Sequence, residues 1–144
     1  MTVSIKNTVL VLKGFLEASG RFADVAVGDY FKAPQSLSAT VILTGTTVPE
    51  TTLTAPVEER TVTIRVYADA MAEPREDTEF LLDDVMGELL TAVCNDYDLG
   101  GDVRSIDATK ITVRYGFATV DQKIYRIADM AIPMIMDDSA SFTV

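Results

Sequence analysis

The chain has 144 residues, 48% of them apolar, and its 12 basic and 22 acidic side chains give a formal charge of −10. This length fits one domain of about 100–200 residues, and the composition is that of a globular protein with a single core. No run approaches the roughly 18 consecutive apolar residues of a membrane helix, and no signal-peptide pattern opens the chain. We expect one domain over 1–144 without a membrane segment.

The acidic charge is concentrated in one part of the chain. Residues 1–60 carry 5 basic and 6 acidic side chains, residues 61–102 carry 2 and 11, and residues 103–144 carry 5 and 5. Binding to a phosphate backbone draws on clustered Lys and Arg, which none of these segments supplies. The sequence therefore argues against specific binding to DNA or to an anionic membrane surface.

The first third of the chain predicts one helix and one strand. The helix spans 4–19, with apolar positions at 4, 3, 4 spacing and Gly20 as its C-terminal cap. Those positions are Ile5, Val9, Leu12 and Leu16. Residues 21–38 predict an ordered loop with a turn at Gly28, and 39–43 predict a short strand.

The segment 45–56 is rich in Thr and contains Pro49 and Pro56. Threonine favours extended backbone, whereas proline interrupts the hydrogen bonds of a ladder. We expect a long loop or hairpin that projects from the domain. Two roles remain open for it: a solvent-exposed excursion, or an arm that reaches a neighbouring subunit.

The middle of the chain predicts a strand followed by a helix. Thr61–Ala68 alternates apolar and polar residues, the pattern of a half-buried antiparallel strand. The helix begins after Pro74, and we expect Cys94 to be buried on its apolar stripe. That stripe consists of Leu82, Val85, Met86, Leu89 and Val93. Gly87 lies inside the helix at a cost of about 1 kcal/mol relative to Ala, which a close approach to the sheet would explain.

The last third predicts strands within 103–117 and over 124–136. In the second strand Ala128, Met130, Ile132, Met134 and Met136 share one phase. Pro133 has no N–H, so we expect this strand to lie at a sheet edge or to be bulged there. Residues 139–144 are expected to form a loose tail. The complete order predicts an α+β fold: a mainly antiparallel sheet with two helices packed on one face.

The sequence offers little for catalysis or metal binding. It contains no His, and its glycines match no nucleotide-binding signature. Glu76, Glu79 and Asp83 share one helical face, which indicates a solvated surface, with a hard cation as the alternative. The acidic segment 96–107 predicts a turn, with an incomplete calcium loop as the alternative. We expect a protein that is not an enzyme and holds neither cofactor nor metal.

The order of elements resembles the tail terminator (tail completion) proteins of long-tailed bacteriophages. The resemblance is carried by the opening helix, the segment 22–31, the strands 39–43 and 61–67, the helix 81–93 and the strand 125–135. It implies a structural virion protein that forms a hexameric ring on the tail tube, stops tube polymerisation and joins the tail to the head connector. Head–tail connector or stopper proteins, and other minor tail proteins of the neck, have similar sizes and patterns and are the alternative.

The resemblance also implies partners and a location. The partners are copies of the chain, the tail tube protein and the head–tail connector protein, while DNA passes through without specific binding. The location is the head-proximal end of the tail in the virion, and assembly takes place in the host cytoplasm.

Two groups of residues are candidates for roles in such a ring. The candidates for contacts between subunits are Met130, Ile132, Met134, Thr46, Thr47, Thr51 and Thr52. For Met130, Ile132 and Met134 the alternative is that they belong to an ordinary core strand. The candidates for acidic residues that face the channel are Glu76, Glu79 and Asp83. Their charge would keep passing DNA from adhering.

Overall fold

The computed structural model describes residues 5–30, 34, 37–51, 56–71, 74–95, 105–106 and 110–135. In chain order the elements are α1 (Ile5–Ala18), β1 (Asp24–Val27), β2 (Ser38–Thr51), β3 (Pro56–Asp69), α2 (Arg75–Asn95), β4 (Ser105–Ile106), β5 (Thr112–Val120) and β6 (Lys123–Ile135). The fold class is α+β, as the sequence predicts. No helix in the described part of the chain is long and apolar enough to cross a membrane.

The six strands form one sheet in the order β1-β2-β3-β6-β4, with β5 also paired to β6. Only β1 and β2 run parallel, whereas all other neighbours are antiparallel. Strand β6 pairs with β3 along one side and with both β4 and β5 along the other. The sheet is therefore mixed but mainly antiparallel.

The sheet-edge alternative for β6 is wrong, because β6 has neighbours on both sides, and its pairing with β3 passes through Thr61↔Pro133 without a register shift. The short β4 pairs with Met134 and Ile135, and β5 begins its pairing at Ala131. On this side of β6 no described residue pairs with Pro133, which agrees with its lack of an N–H.

Both helices pack on the same face of the sheet and share one hydrophobic core with it. Helix α1 contributes Val9, Leu12 and Leu16, and α2 contributes the predicted stripe. Alternate residues of β2, β3 and β6 supply the sheet side of this core: Ala39, Val41, Val62, Ile64, Val66, Ala68, Ala128, Met130, Ile132 and Met134. The apolar side chains that give β3 its period of 2, and those that share one phase in β6, thus face the helices.

The helices agree with the predictions from the sequence except at two residues of α2, Cys94 and Gly87. Gly20, at φ 70°, caps α1 as predicted, and its N–H donates to the carbonyl of Glu17 over 3.3 Å. Cys94 is exposed, so the prediction of a buried thiol is wrong: Val93 occupies the stripe, and the next residue turns away from it. A Cβ at Gly87 would meet nothing within 4 Å, so no close approach explains this glycine.

Residues 21–38, predicted as a loop, contain the strand β1. Its four residues pair in parallel with Ser38–Val41 of β2. Their side chains are exposed or half-buried, and a run this short carries no readable alternation. Pairing with β2, which sequence periodicity does not reveal, makes this segment a strand.

Strands β2 and β3 extend into the Thr-rich segment. Their pairing continues through Thr46↔Arg60 and Thr47↔Glu59 to Thr51↔Pro56, with register shifts at Leu43/Gly45 and Thr47/Glu50. The second shift contains Pro49, which agrees with the difficulty of pairing proline in a ladder. Residues 52–55 and the tail 139–144 lie outside the described residues.

Candidate functional site

The face of the sheet opposite the two helices carries a row of four polar side chains, of which three are charged and form the charged row: Arg65, Asp129 and Arg114. Thr40, Arg65, Asp129 and Arg114 are register partners on β2, β3, β6 and β5. Because side chains alternate along each strand, these four point to the face opposite the core. The row therefore crosses four adjacent strands.

Arg65 is the centre of this row. Its Nε donates to Asp129 Oδ1 over 2.8 Å and its Nη2 to Asp129 Oδ2 over 3.0 Å, which is a bidentate pair. Its Nη1 donates to Asp29 Oδ2 over 3.2 Å. The hydrogen bonds to Asp129 raise the pKa of the Arg65 guanidinium above its ordinary value. Arg65 is thus committed to partners inside its own chain.

Three tyrosines cover one end of the same face. Tyr67 stacks edge-on with Tyr30 and with Tyr125, at centroid distances of 5.3 and 5.6 Å. The Tyr67 hydroxyl donates to Asp29, and the Tyr125 hydroxyl donates to the Pro34 carbonyl over 2.8 Å. The pKa of Tyr67 is raised to about 12, mainly by burial and secondly by the hydrogen bond to Asp29. These contacts join Asp29, Tyr30 and Pro34 to the sheet.

Beyond the tyrosines the face is open, and a groove of about 480 Å³ lies over the charged row. Ile42, Thr63 and Ala131 line it together with both arginines and with Asp29 and Asp129. Arg114 is exposed on the rim. Within the described ranges its guanidinium has no ion pair or hydrogen bond, in contrast to that of Arg65. We call this the charged groove.

A second surface lies on the other face of β5, beside α2. The Arg126 guanidinium is 5.9 Å from the ring centroid of Tyr115 and 4.6 Å from that of Phe117, so it lies between the two rings. Phe80 of α2 shares a pocket with Tyr115 and Arg126. Tyr115 is 43% exposed, and Phe80 and Phe117 are each 68% exposed. We call these three side chains the aromatic patch.

Carboxylates of α2 border the aromatic patch. Arg126 donates to Glu79 over 2.7 and 3.2 Å, and this bond lowers the pKa of Glu79 below its ordinary value. Asp83 lines the same pocket as Phe80 and Tyr115. Burial raises the pKa of Tyr115, and the charge of Asp83 adds to that effect. Asp83 forms no ion pair with the part of the chain that the structure describes.

The predicted acidic face exists, but its members differ in environment. Glu76, Glu79 and Asp83 are exposed on α2, and Glu79 is held by Arg126. No three His, Cys, Asp or Glu side chains among the described residues converge as metal ligands would. Most of the calcium-loop candidate, 96–104 and 107, lies outside the described residues.

The candidate subunit contacts are found in two different environments. Met130, Ile132 and Met134 are 0% exposed in the core beneath the helices, so as placed they present no surface to another subunit. Their single phase reflects burial, the alternative left open by the sequence. Strand β2 contains Thr46, Thr47 and Thr51, whereas Thr52 is outside the described residues.

Sequence reasoning missed both the charged groove and the aromatic patch. The alternation of β3 does point Arg65 away from the core, but only the register with β6 and β5 aligns it with Asp129 and Arg114. Comparison with known proteins adds no relative: no family model and no curated protein matches the chain.

Proposed function

We propose that this chain is a structural subunit of a bacteriophage tail, the terminator that caps the tail tube as a ring of six copies. In this proposal the ring halts tube polymerisation and presents a surface to the head connector. The α+β fold and the order of helix, strands, helix and strands support the resemblance on which the proposal rests. The chain acts by assembly, without chemical turnover.

The observation that carries the proposal is the exposed aromatic patch beside the outer strand β5. In the described residues, the side of β5 away from β6 has no strand paired to it. Unpaired strand edges and clustered exposed aromatics promote aggregation in a monomer and are typical of proteins that assemble. Edge and patch lie together, as expected of a subunit that joins others side by side.

The charge of the chain agrees with a channel that DNA traverses. Six copies of a chain with charge −10 carry −60. In the proposed ring, Glu76, Glu79 and Asp83 are the candidates for charge on the channel wall, where repulsion prevents phosphate groups from adhering. This charge agrees with DNA passage and opposes DNA binding.

Deleting the coding sequence from a phage that carries it tests the proposal. A missing terminator leaves tube growth unchecked, so we expect tubes longer than those of the parent phage and unjoined to heads. Electron microscopy of lysates measures both features. Tails of parental length that merely fail to join heads would favour the connector or stopper alternative, and normal infectious particles would contradict both.

A further inference from the structure

We propose that the aromatic patch of one copy docks into the charged groove of the next, with Asp83 of the first paired to Arg114 of the second. This inference rests on the proposed function and names the two surfaces that meet between neighbouring subunits of the ring.

The aromatic patch is large enough to form the centre of an interface. At roughly 200 Å² for a complete aromatic side chain, the exposed fractions of 68%, 43% and 68% leave about 350 Å² of Phe80, Tyr115 and Phe117 in water. A stable interface covers about 800 Å² on each partner, and its centre is typically aromatic. The patch supplies just under half of that area, and its acidic border supplies polar rim.

The charged groove accepts apolar side chains because nearly all its polar groups are already bonded. Arg65 is bonded to Asp129 and Asp29, and the Thr63 hydroxyl lies 3.0 Å from that of Thr44. These groups keep their intramolecular hydrogen bonds when the groove is covered, so each retains at least one partner. Ile42 and Ala131 add apolar lining to the groove.

Among the described residues Arg114 and Thr112 are the exceptions, and the charge of Arg114 determines the chemistry of the occupant. Its charge has no partner in the described residues, and covering it with apolar rings alone would be unfavourable. The occupant must therefore bring a carboxylate beside its aromatic groups. Asp83 lines the same pocket as Phe80 and Tyr115 and has no ion pair within the described ranges, whereas Glu79 is already held by Arg126.

The two surfaces occupy opposite faces of one strand. Arg114 and Tyr115 are adjacent on β5, so their side chains point to opposite sides of the sheet. A contact between two different surfaces repeats head to tail and forms a ring when the rotation between copies closes, whereas a two-fold dimer uses the same surface twice. The contact places Asp83 and the neighbouring Glu79 at the subunit boundary and leaves Glu76 as the channel candidate.

Charge exchange in the full chain tests the pairing. Sedimentation velocity over a concentration series measures self-association of the parent chain, Asp83→Arg, Arg114→Asp and the double variant. We expect each single variant to associate at least about tenfold more weakly, because like charges then meet. The double variant restores the opposite pair and is expected to return to within about threefold of the parent chain.

Asp77→Arg is the matched control, since it reverses an exposed charge on the same helix. Asp77 lies six residues before Asp83, about 120° around the helix, away from β5. It is expected to leave association within about twofold of the parent, and circular dichroism checks that every variant is folded.

Three results overturn the contact: a parent chain that stays monomeric at every concentration, single variants that associate like the parent, or a double variant as weak as the singles. The proposed function is judged separately. If deletion gives overlong tubes but the single variants assemble normally, the terminator role is supported and this contact is contradicted.

Discussion

The two faces of the sheet stabilise the protein in different ways. The helix-covered face is lined by apolar side chains that pack on α1 and α2. The opposite face is held at one end by three tyrosines and at its centre by the Arg65 ion pairs, and in the described part of the chain the charged groove lies beside them. Apolar burial acts without direction, whereas hydrogen-bonded charges require the strands to stay in register. The first face supplies the main apolar core, and the second carries the charged groove.

The largest expected effect contrasts two adjacent leucines of α2. Leu82 is 0% exposed in the core and Leu81 is 40% exposed. Leu82→Ala removes core packing and is expected to lower the free energy of unfolding by about 2–5 kcal/mol, whereas Leu81→Ala is expected to cost under about 1 kcal/mol. Urea denaturation measures both, and equal losses would contradict the assignment of the core face.

Arg65→Ala tests the opposite face. It leaves Asp129 and Asp29 without their shared cation, and we expect a loss of about 1–2 kcal/mol, reduced from the value for a buried pair because the groups are partly exposed. Arg65→Lys keeps the charge but not the bidentate geometry and is expected to lie in between. Urea denaturation at neutral pH gives all three values; an alanine variant as stable as the parent would refute the importance of the charged row.

Tyr67 makes this face sensitive to alkaline pH. The pKa of Tyr67 is raised from 10.0 to about 12, so between those values the unfolded chain loses a proton that the folded chain keeps. The contribution of this group is complete below pH 10 and falls as pH rises toward 12. We expect Tyr67→Phe to cost about 1 kcal/mol at neutral pH and to flatten the pH dependence in that window. Parallel stability curves for both proteins would contradict the assignment.

The smallest effects concern glycines, and they carry opposite signs. A Cβ at Gly14 of α1 or at Gly87 of α2 meets nothing within 4 Å, so each change to Ala is expected to add about 0.5–1 kcal/mol of stability. Gly28 adopts φ 90°, so Gly28→Ala is expected to destabilise despite equally open space. Thermal denaturation ranks the three, and a stabilising Gly28→Ala would contradict the turn.

Local patterns in the sequence predict the helix-covered face well. Apolar residues that recur with a period of 3.6 in a helix or 2 in a strand indicate a buried face. The stripe from Leu82 to Val93 and the alternation of β3 show these periods, and both are buried. Cys94 shows the limit of such patterns, because one residue turns the side chain about 100° around the helix and out of the stripe.

The helix-free face could not be predicted in the same way. Its row joins Arg65, Asp129 and Arg114, which are far apart in sequence and meet only through strand register. The aromatic patch likewise depends on α2 lying beside β5. Sequence periodicity gives the direction of each side chain but not its neighbour on the next strand.

Cryo-electron microscopy of tails purified from a phage that encodes this chain tests the proposed role most directly. The expected result is one ring of six copies at the head-proximal end of the tube, with β5 at the boundary between subunits. Copies distributed along the tube, or particles that lack the chain, would contradict the proposal.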